Sequence, residues 1–246
     1  MSLLDETVEI PRRTMTLFFV IDTSGSMAGS KIGAVNDAVV NVLPMLEEIS
    51  AENPDAEIKV AALEFSTTCN WLYSEPKPAN EFVWQDVQAN ALTSLGAACK
   101  ELASKLSRSG FMKSASGSFA PAIILLSDGA PTDDFESGLA TLKQNNWFKA
   151  AIKVAIAIGD DADKDVLTKF TGTNEAVFTV HNIEALKQII RVVAVTSSQI
   201  GSKSSTASDT TKQEQVIAEV KSAVDNIGGA EVASAPSSTV SYDDWD

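Results

Sequence analysis

The stretch Leu17–Met27, LFFVIDTSGSM, constrains this chain most. Its opening apolar run, rich in β-branched and aromatic residues, reads as a strand buried on both faces of a parallel sheet. The polar cluster Asp22-Thr-Ser-Gly-Ser26 follows directly. It therefore falls just past the strand's carboxyl end, the edge where open α/β sheets bind ligands. Asp22, Ser24 and Ser26 alternate, so one short loop can turn a carboxylate and two hydroxyls toward a single point. All three are hard oxygen donors, which suits Mg²⁺ and not zinc or copper.

The rest of the chain repeats the strand–helix alternation. Thr16–Ile21 is the first core strand. A helix is expected over Lys31–Ile49, capped by Ser30, with Ile32, Val35, Val39, Val42, Leu46 and Ile49 on one face. Pro44 inside it removes a backbone donor and predicts a kink. Strands follow at Glu57–Phe65 and, as a short edge piece, at Cys69–Ser74, where Pro76 and Pro78 end the pairing. Further strands are expected at Ala122–Ser127, Ile152–Ile158 and Val177–Val180. Helices are expected at Leu95–Ser107, Phe135–Asn145, Ala162–Phe170 and, behind an Asn182 cap, Ile183–Ser197. Ser107–Ser118 is small and polar and reads as a flexible loop. The predicted fold is α/β: a doubly wound, mostly parallel six-stranded sheet with helices on both faces.

Composition divides the chain into a lead-in (1–13), a main domain (14–200), a Ser/Thr-rich linker (201–212) and a C-terminal appendage (213–246). The appendage opens with Val216, Val220, Val224 and Ile227 at helical spacing. Gly228-Gly229 ends that helix. The Ser-rich tail closes in SYDDWD and reads either as a solvated end or as a docking peptide.

Asp-x-Ser-x-Ser after a buried strand resembles the metal-ion-dependent adhesion site (MIDAS) of von Willebrand factor A (VWA) domains. That family adds a Thr from a second loop, matched here by Thr93-Ser-Leu-Gly96. It also adds an Asp after a later core strand, matched by Asp128 behind Ile123–Ser127. The segments ALTSLGAA and LLSDGAPTDD are most similar to the bacterial tellurium-resistance, TerY-like subgroup. The resemblance spans residues 14–200 and implies a Rossmann-like fold. It implies Mg²⁺, with Mn²⁺ or Ca²⁺ as alternatives, held by Asp22, Ser24, Ser26, Thr93 and Asp128. It further implies a protein partner whose Asp or Glu completes the metal shell, and a non-enzymatic adaptor or scaffold role. The subgroup's setting is a tellurite or stress response, alongside a kinase and phosphatase pair. In related domains the final helix moves with partner binding, so Ile183–Ser197 is a candidate relay.

The remaining signals narrow the function classes. With 19 basic and 33 acidic residues, a net charge of −14 argues against nucleic acid and anionic membranes as partners. No apolar run reaches the ~18–20 residues of a membrane helix, and MSLLDETVEIPRRTM lacks the layout of a secretion signal. Cys69 and Cys99 then read as free thiols, and the expected location is the cytoplasm. Asp161-Ala-Asp163-Lys-Asp165 starts like a calcium loop, but the required Gly is Val166 and the closing Glu is Gly172. It reads as a turn with capping acids. No phosphate loop and no G-x-S-x-G elbow is present. His181, the sole histidine, has no indicated catalytic partner.

Each site residue also has a plain structural reading: Asp22 in an Asx-turn, Ser24 and Ser26 as turn residues, Thr93 as a helix cap. Asp133 and Asp134 read as caps or loop acids. Two rival functions stay open. One is a metal-dependent phosphohydrolase with Asp22 as nucleophile. Ser24 stands where such enzymes place an acid/base Asp, and Lys31, already in the helix, is expected to lie away from the motif. The other is a structural subunit in which a metal only braces the loops.

Overall fold

The computed structural model describes residues 12–202, 211–227 and 230–233. Most of the expected lead-in, most of the linker, Gly228-Gly229 and the tail with SYDDWD lie outside the described residues. In chain order the elements are β1 (Arg13–Asp22), a 3₁₀ turn (Gly25–Met27), α1 (Ser30–Glu52), β2 (Ala56–Phe65), β3 (Cys69–Trp71) and β4 (Lys77–Pro78). There follow α2 (Leu95–Lys105), β5 (Ala122–Ser127), α3 (Phe135–Gln144), α4 (Asn146–Ala150), β6 (Ile152–Ile158), α5 (Lys164–Thr171) and β7 (Val177–Val180). The last are α6 (Ile183–Ser202), α7 (Lys212–Ile227) and β8 (Ala230–Val232).

The sheet runs β3-β2-β1-β5-β6-β7-β8, with β4 paired to β2 beside β3. The pairs from β2 through β7 are parallel; β3, β4 and β8 join antiparallel at the edges. The sheet thus has eight strands where the sequence predicted six. Both additions are too short to carry a period-two pattern. Lys77–Pro78 re-forms the edge after the break at β3, where a proline is tolerated because an edge strand has a side with no donor to supply. Ala230–Val232 returns after α7 to cover β7, and Ala233 donates its N–H to the Val177 carbonyl at 2.9 Å.

Two apolar layers cover the sheet. On β1, Met15, Leu17, Phe19 and Ile21 point into one core with α1, α6 and α7, whereas Phe18 and Val20 point into the other with α2, α3 and α5. Burial on both faces explains why the run is apolar throughout and not alternating. Each buried Phe contributes about 2 kcal/mol of transfer free energy. Two local expectations change, at Ser30 and in the loop after α2, while Pro44 falls inside its helix as expected. Ser30 is the first residue of α1 and not its cap; Gly29, at φ 77°, occupies the cap position. Pro44 lies within α1, which continues to Glu52; the proline takes the helical donor from the carbonyl of the solvent-facing Val40. In the loop after α2, Phe111 packs edge-on against Trp71 at 4.8 Å and stacks on Phe18 at 6.3 Å, so a loop that reads as flexible is anchored in the core.

The C-terminal helix is bound to the sheet. Val216, Val220 and Val224 enter the core shared with α1 and α6. Gln213 acts as a substitute strand residue: its side chain accepts from Lys153 N at 2.7 Å and donates to Lys153 O at 2.6 Å.

Candidate metal centre

Strand order fixes where a site can form. After β1 the chain builds β2 on one side, then crosses to build β5 on the other side of β1. The crevice above β1 and β5 is the topological switch point, where the loops leave in opposite directions. Asp22 ends β1 and Asp128 follows β5, so both carboxylates fall at this point.

Asp22 is fully buried. Its Oδ1 accepts from Ser24 N at 2.8 Å and its Oδ2 from Ser127 Oγ at 2.6 Å. Burial pushes its carboxyl above the usual range. The bonds from Ser127 and Ser24 oppose that, and the neighbouring charge of Asp128 adds to it. The Ser24 and Ser26 hydroxyls lie 3.0 Å apart, Ser24 buried and Ser26 exposed. Asp128 is 4 % exposed, and its Oδ1 is buried with no hydrogen-bond partner among the described residues. An ionised oxygen taken out of water without a donor is costly.

The Thr93 loop is fastened to both neighbours. Asn90 N donates to Thr23 O at 2.7 Å, and Gly25 N donates to Ala91 O at 3.0 Å. Ala91 adopts φ 59°, a left-handed conformation unusual outside glycine. Thr93 N donates to Thr132 Oγ1, and Thr132 N donates to Thr93 O at 2.8 Å, joining this loop to the one that follows Asp128. Thr93 is buried and is not the cap of α2. That task falls to Asp133, whose two oxygens accept from Gly96 N at 2.9 Å and Ala97 N at 2.8 Å. Asp134 caps α3 by accepting from Ser137 N. The capping readings of Asp133 and Asp134 thus hold, with Asp133 serving a helix distant in sequence.

The fold therefore brings all five expected residues to one edge through three interlocked loops. Among the described residues, no three His, Cys, Asp or Glu are grouped to hold a metal; the donors here are two carboxylates and three hydroxyls. That set and the unpartnered Asp128 oxygen fit a hard divalent cation, which accepts neutral oxygen ligands and retains water.

Sequence reasoning missed Ser127, which orients Asp22, and misplaced Lys31. The Lys31 ammonium reaches over the site to Asp128 Oδ2 at 3.4 Å and to the Asp161 oxygens at 3.0 and 3.2 Å. Its contacts with Asp161 and Asp128 outweigh burial and raise its pKa; Lys31 in turn lowers that of Asp161. The clue was available: Asp161 follows β6, so it belongs to the same carboxyl edge as Asp22 and Asp128. Asp163 caps α5, accepting from Val166 N as its capping reading predicts. His181 lies at this edge too, exposed, with Nδ1 3.1 Å from Asp160.

A doubly wound sheet with oxygen donors at its switch point defines a class of α/β binding domains. The family profile described as von Willebrand factor type A domain matches residues 16–192, and the chain belongs to that family. No match is found among curated proteins. Solved structures share the fold at low identity. A von Willebrand factor type A protein from Catenulispora acidiphila is 18% identical at TM-score 0.57, covering 76% of this chain and 43% of its own. The pilus adhesin SpaC from Lactobacillus rhamnosus GG, in an open conformation, is 14% identical at 0.59, covering 77% and 30%. Proximal thread matrix protein 1 of the mussel byssus, with a zinc-occupied MIDAS motif, is 14% identical at 0.54, covering 76% and 48%. The chain thus spans less than half the length of these proteins. VWA domains typically mediate protein–protein interaction and are generally non-catalytic. Among the described residues no helix is long and apolar enough to cross a membrane.

Proposed function

We propose that the chain is a non-enzymatic adaptor whose carboxyl edge binds Mg²⁺ through Asp22, Ser24, Ser26, Thr93 and Asp128, and through it an acidic residue of a partner protein. The observation that carries this reading is the buried, unpartnered Oδ1 of Asp128 beside Asp22 and the paired Ser24 and Ser26 hydroxyls. Ser24, Ser26 and Thr93 would serve as neutral ligands, and Asp22 and Asp128 directly or through water. When bound, the cation supplies Lewis acidity toward an incoming carboxylate. Few charged ligands leave it electron-poor, so a partner's Asp or Glu is a favourable further ligand. The zinc-occupied MIDAS of the mussel protein supports a divalent ion at this kind of edge.

We further propose a setting for this adaptor in a cytoplasmic tellurite or stress response with kinase and phosphatase partners. That placement rests on sequence resemblance alone. The phosphohydrolase reading is weaker: Lys31 does reach the site, but it is engaged by two carboxylates, and the position two after Asp22 is still a serine. The test is affinity capture by the wild type and by Asp128→Asn, each with Mg²⁺ and with EDTA. A specific protein retained only by the wild type with Mg²⁺ supports the reading. Equal retention under all four conditions contradicts it.

A further inference from the structure

Lys31 sits in the first turn of α1, and its ammonium lies between two carboxylates of different standing. Asp128 is buried and belongs to the candidate metal centre. Asp161 is 75 % exposed and stands outside it. The lysine stem passes close over Gly159: a Cβ there would come within 2.8 Å of Lys31 Cε, and Gly159 adopts φ 96°, where a side chain is strained. The ammonium holds Asp128 Oδ2 at 3.4 Å and both Asp161 oxygens more closely, at 3.0 and 3.2 Å.

We propose that Lys31 is a built-in competitor of the metal for Asp128, and that Asp161 is the positioning residue that holds it back. This rests on the metal-site reading above. Without metal, the ammonium partly neutralises a carboxylate that would otherwise stand uncompensated in the protein interior, and so keeps the open site folded. A divalent cation on Asp128 repels that ammonium with an energy that scales as the product of the charges over their separation. Lys31 is a point charge on a flexible four-carbon stem, so it can withdraw fully to Asp161, where two oxygens already receive it. Metal affinity is therefore set by how firmly Asp161 draws Lys31 away. A carboxylate from an acidic partner, arriving at the metal, restores the negative charge that the lysine loses, so Lys31 also favours metal and partner binding together over metal alone.

The test is a calorimetric titration of the full chain with Mn²⁺ and with Mg²⁺ alone, for the wild type, Lys31→Met, Asp161→Asn and the double variant. Methionine keeps the length of the stem and removes the charge. Lys31→Met should tighten metal binding by about tenfold, the scale of one removed short-range charge contact, and Asp161→Asn should weaken it. In the Lys31→Met background Asp161→Asn should have no effect, because its role is to hold the lysine. A merely structural role for either residue would shift melting but leave this non-additivity absent. Wild type and Lys31→Met binding metal equally would overturn the competition while leaving the metal site intact. An Asp161→Asn effect of equal size in both backgrounds would reduce Asp161 to a distant charge and overturn its positioning role. No binding by any of the four proteins would remove the metal-site reading and the competition together.

Discussion

Ser127 Oγ donates a 2.6 Å hydrogen bond to Asp22 Oδ2, joining the carboxyl ends of β5 and β1 across 105 positions of sequence. The same Ser127 oxygen accepts from Gly129 N at 2.7 Å, and Asp22 Oδ1 accepts from Ser24 N. A buried carboxylate is thus oriented on both oxygens, by the last residue of β5 and by the loop that follows β1. Its orientation is fixed before any cation arrives, which lowers the ordering cost of binding.

The same arrangement costs stability when no metal is present. Burial raises the Asp22 pKa in the folded protein above its ordinary value, despite the bonds from Ser127 and Ser24. The folded state then binds a proton more tightly than the unfolded state. The penalty of ionisation is present above the folded pKa and is relieved as pH falls toward the unfolded value of about 4. In EDTA at pH 7, Asp22→Asn should be at least as stable as the wild type, with the gap narrowing at lower pH. Urea midpoints measured across that range check this. A wild type clearly more stable at pH 7 would contradict it.

Helices α2 and α3 meet backbone to backbone. A Cβ at Gly138 would lie 2.1 Å from the Gly96 carbonyl oxygen, and one at Gly96 would lie 2.4 Å from that of Asp134. Neither backbone atom can step aside as a flexible side chain would. Gly138→Ala should cost about 2–3 kcal/mol, the range of overpacked sites. Chemical denaturation with an unchanged m-value would confirm it. A loss under half a kcal/mol would show that the helices separate freely.

Asp133 links that helix pair to the Thr93 loop. Removing its carboxylate leaves the first N–H groups of α2 without their acceptors. Asp133→Ala should cost about 1 kcal/mol, as for other lost caps. It should also weaken Mg²⁺ binding, since Thr93 sits two residues before the helix. Calorimetry and urea unfolding of one variant read both effects; lost stability with unchanged affinity would separate the cap from the site.

Gln213 ties α7 to the sheet by bonding both backbone groups of Lys153. Gln213→Ala should cost about 1–3 kcal/mol, since it leaves both groups without partners. It should also speed hydrogen exchange at the Lys153 amide before that of the β5–β6 pairs. Unchanged exchange there would mean that the valine face of α7 alone holds it in place.

Much of this architecture was legible in the sequence because the strongest signals were long. The apolar β1 run, the stripe on α1 and the capped α6 each carried enough periodicity to fix element type. The edge positions of Asp22, Ser24, Ser26 and Asp128 were legible because a loop motif following a core strand has a forced location at the sheet edge; Thr93, which follows no strand, came from the family resemblance alone. What stayed hidden depends on contacts between distant segments. Asp133 reads as a local acid until α2 is placed beside it. Lys31 reads as a helix residue until β6 brings Asp161 to the same edge. The edges β4 and β8 are two and three residues long, and their pairing depends on neighbours and not on any pattern of their own. The docking of α7 is not legible in the sequence, because an amphipathic helix does not name the surface it covers.

The metal centre is tested most directly by thermal unfolding of the full chain in Mg²⁺ and in EDTA, beside Ser26→Ala and Asp128→Asn. Ser26 is exposed, so its alanine variant should fold. A ligand bound only by the folded state contributes about 2.7 kcal/mol at a hundredfold excess over Kd, or about 5–10 °C for a chain of this size. That rise is expected in the wild type, a smaller one in Ser26→Ala and none in Asp128→Asn. Identical melting of the wild type in Mg²⁺ and in EDTA, or an equal rise in all three proteins, would contradict a metal centre at this edge.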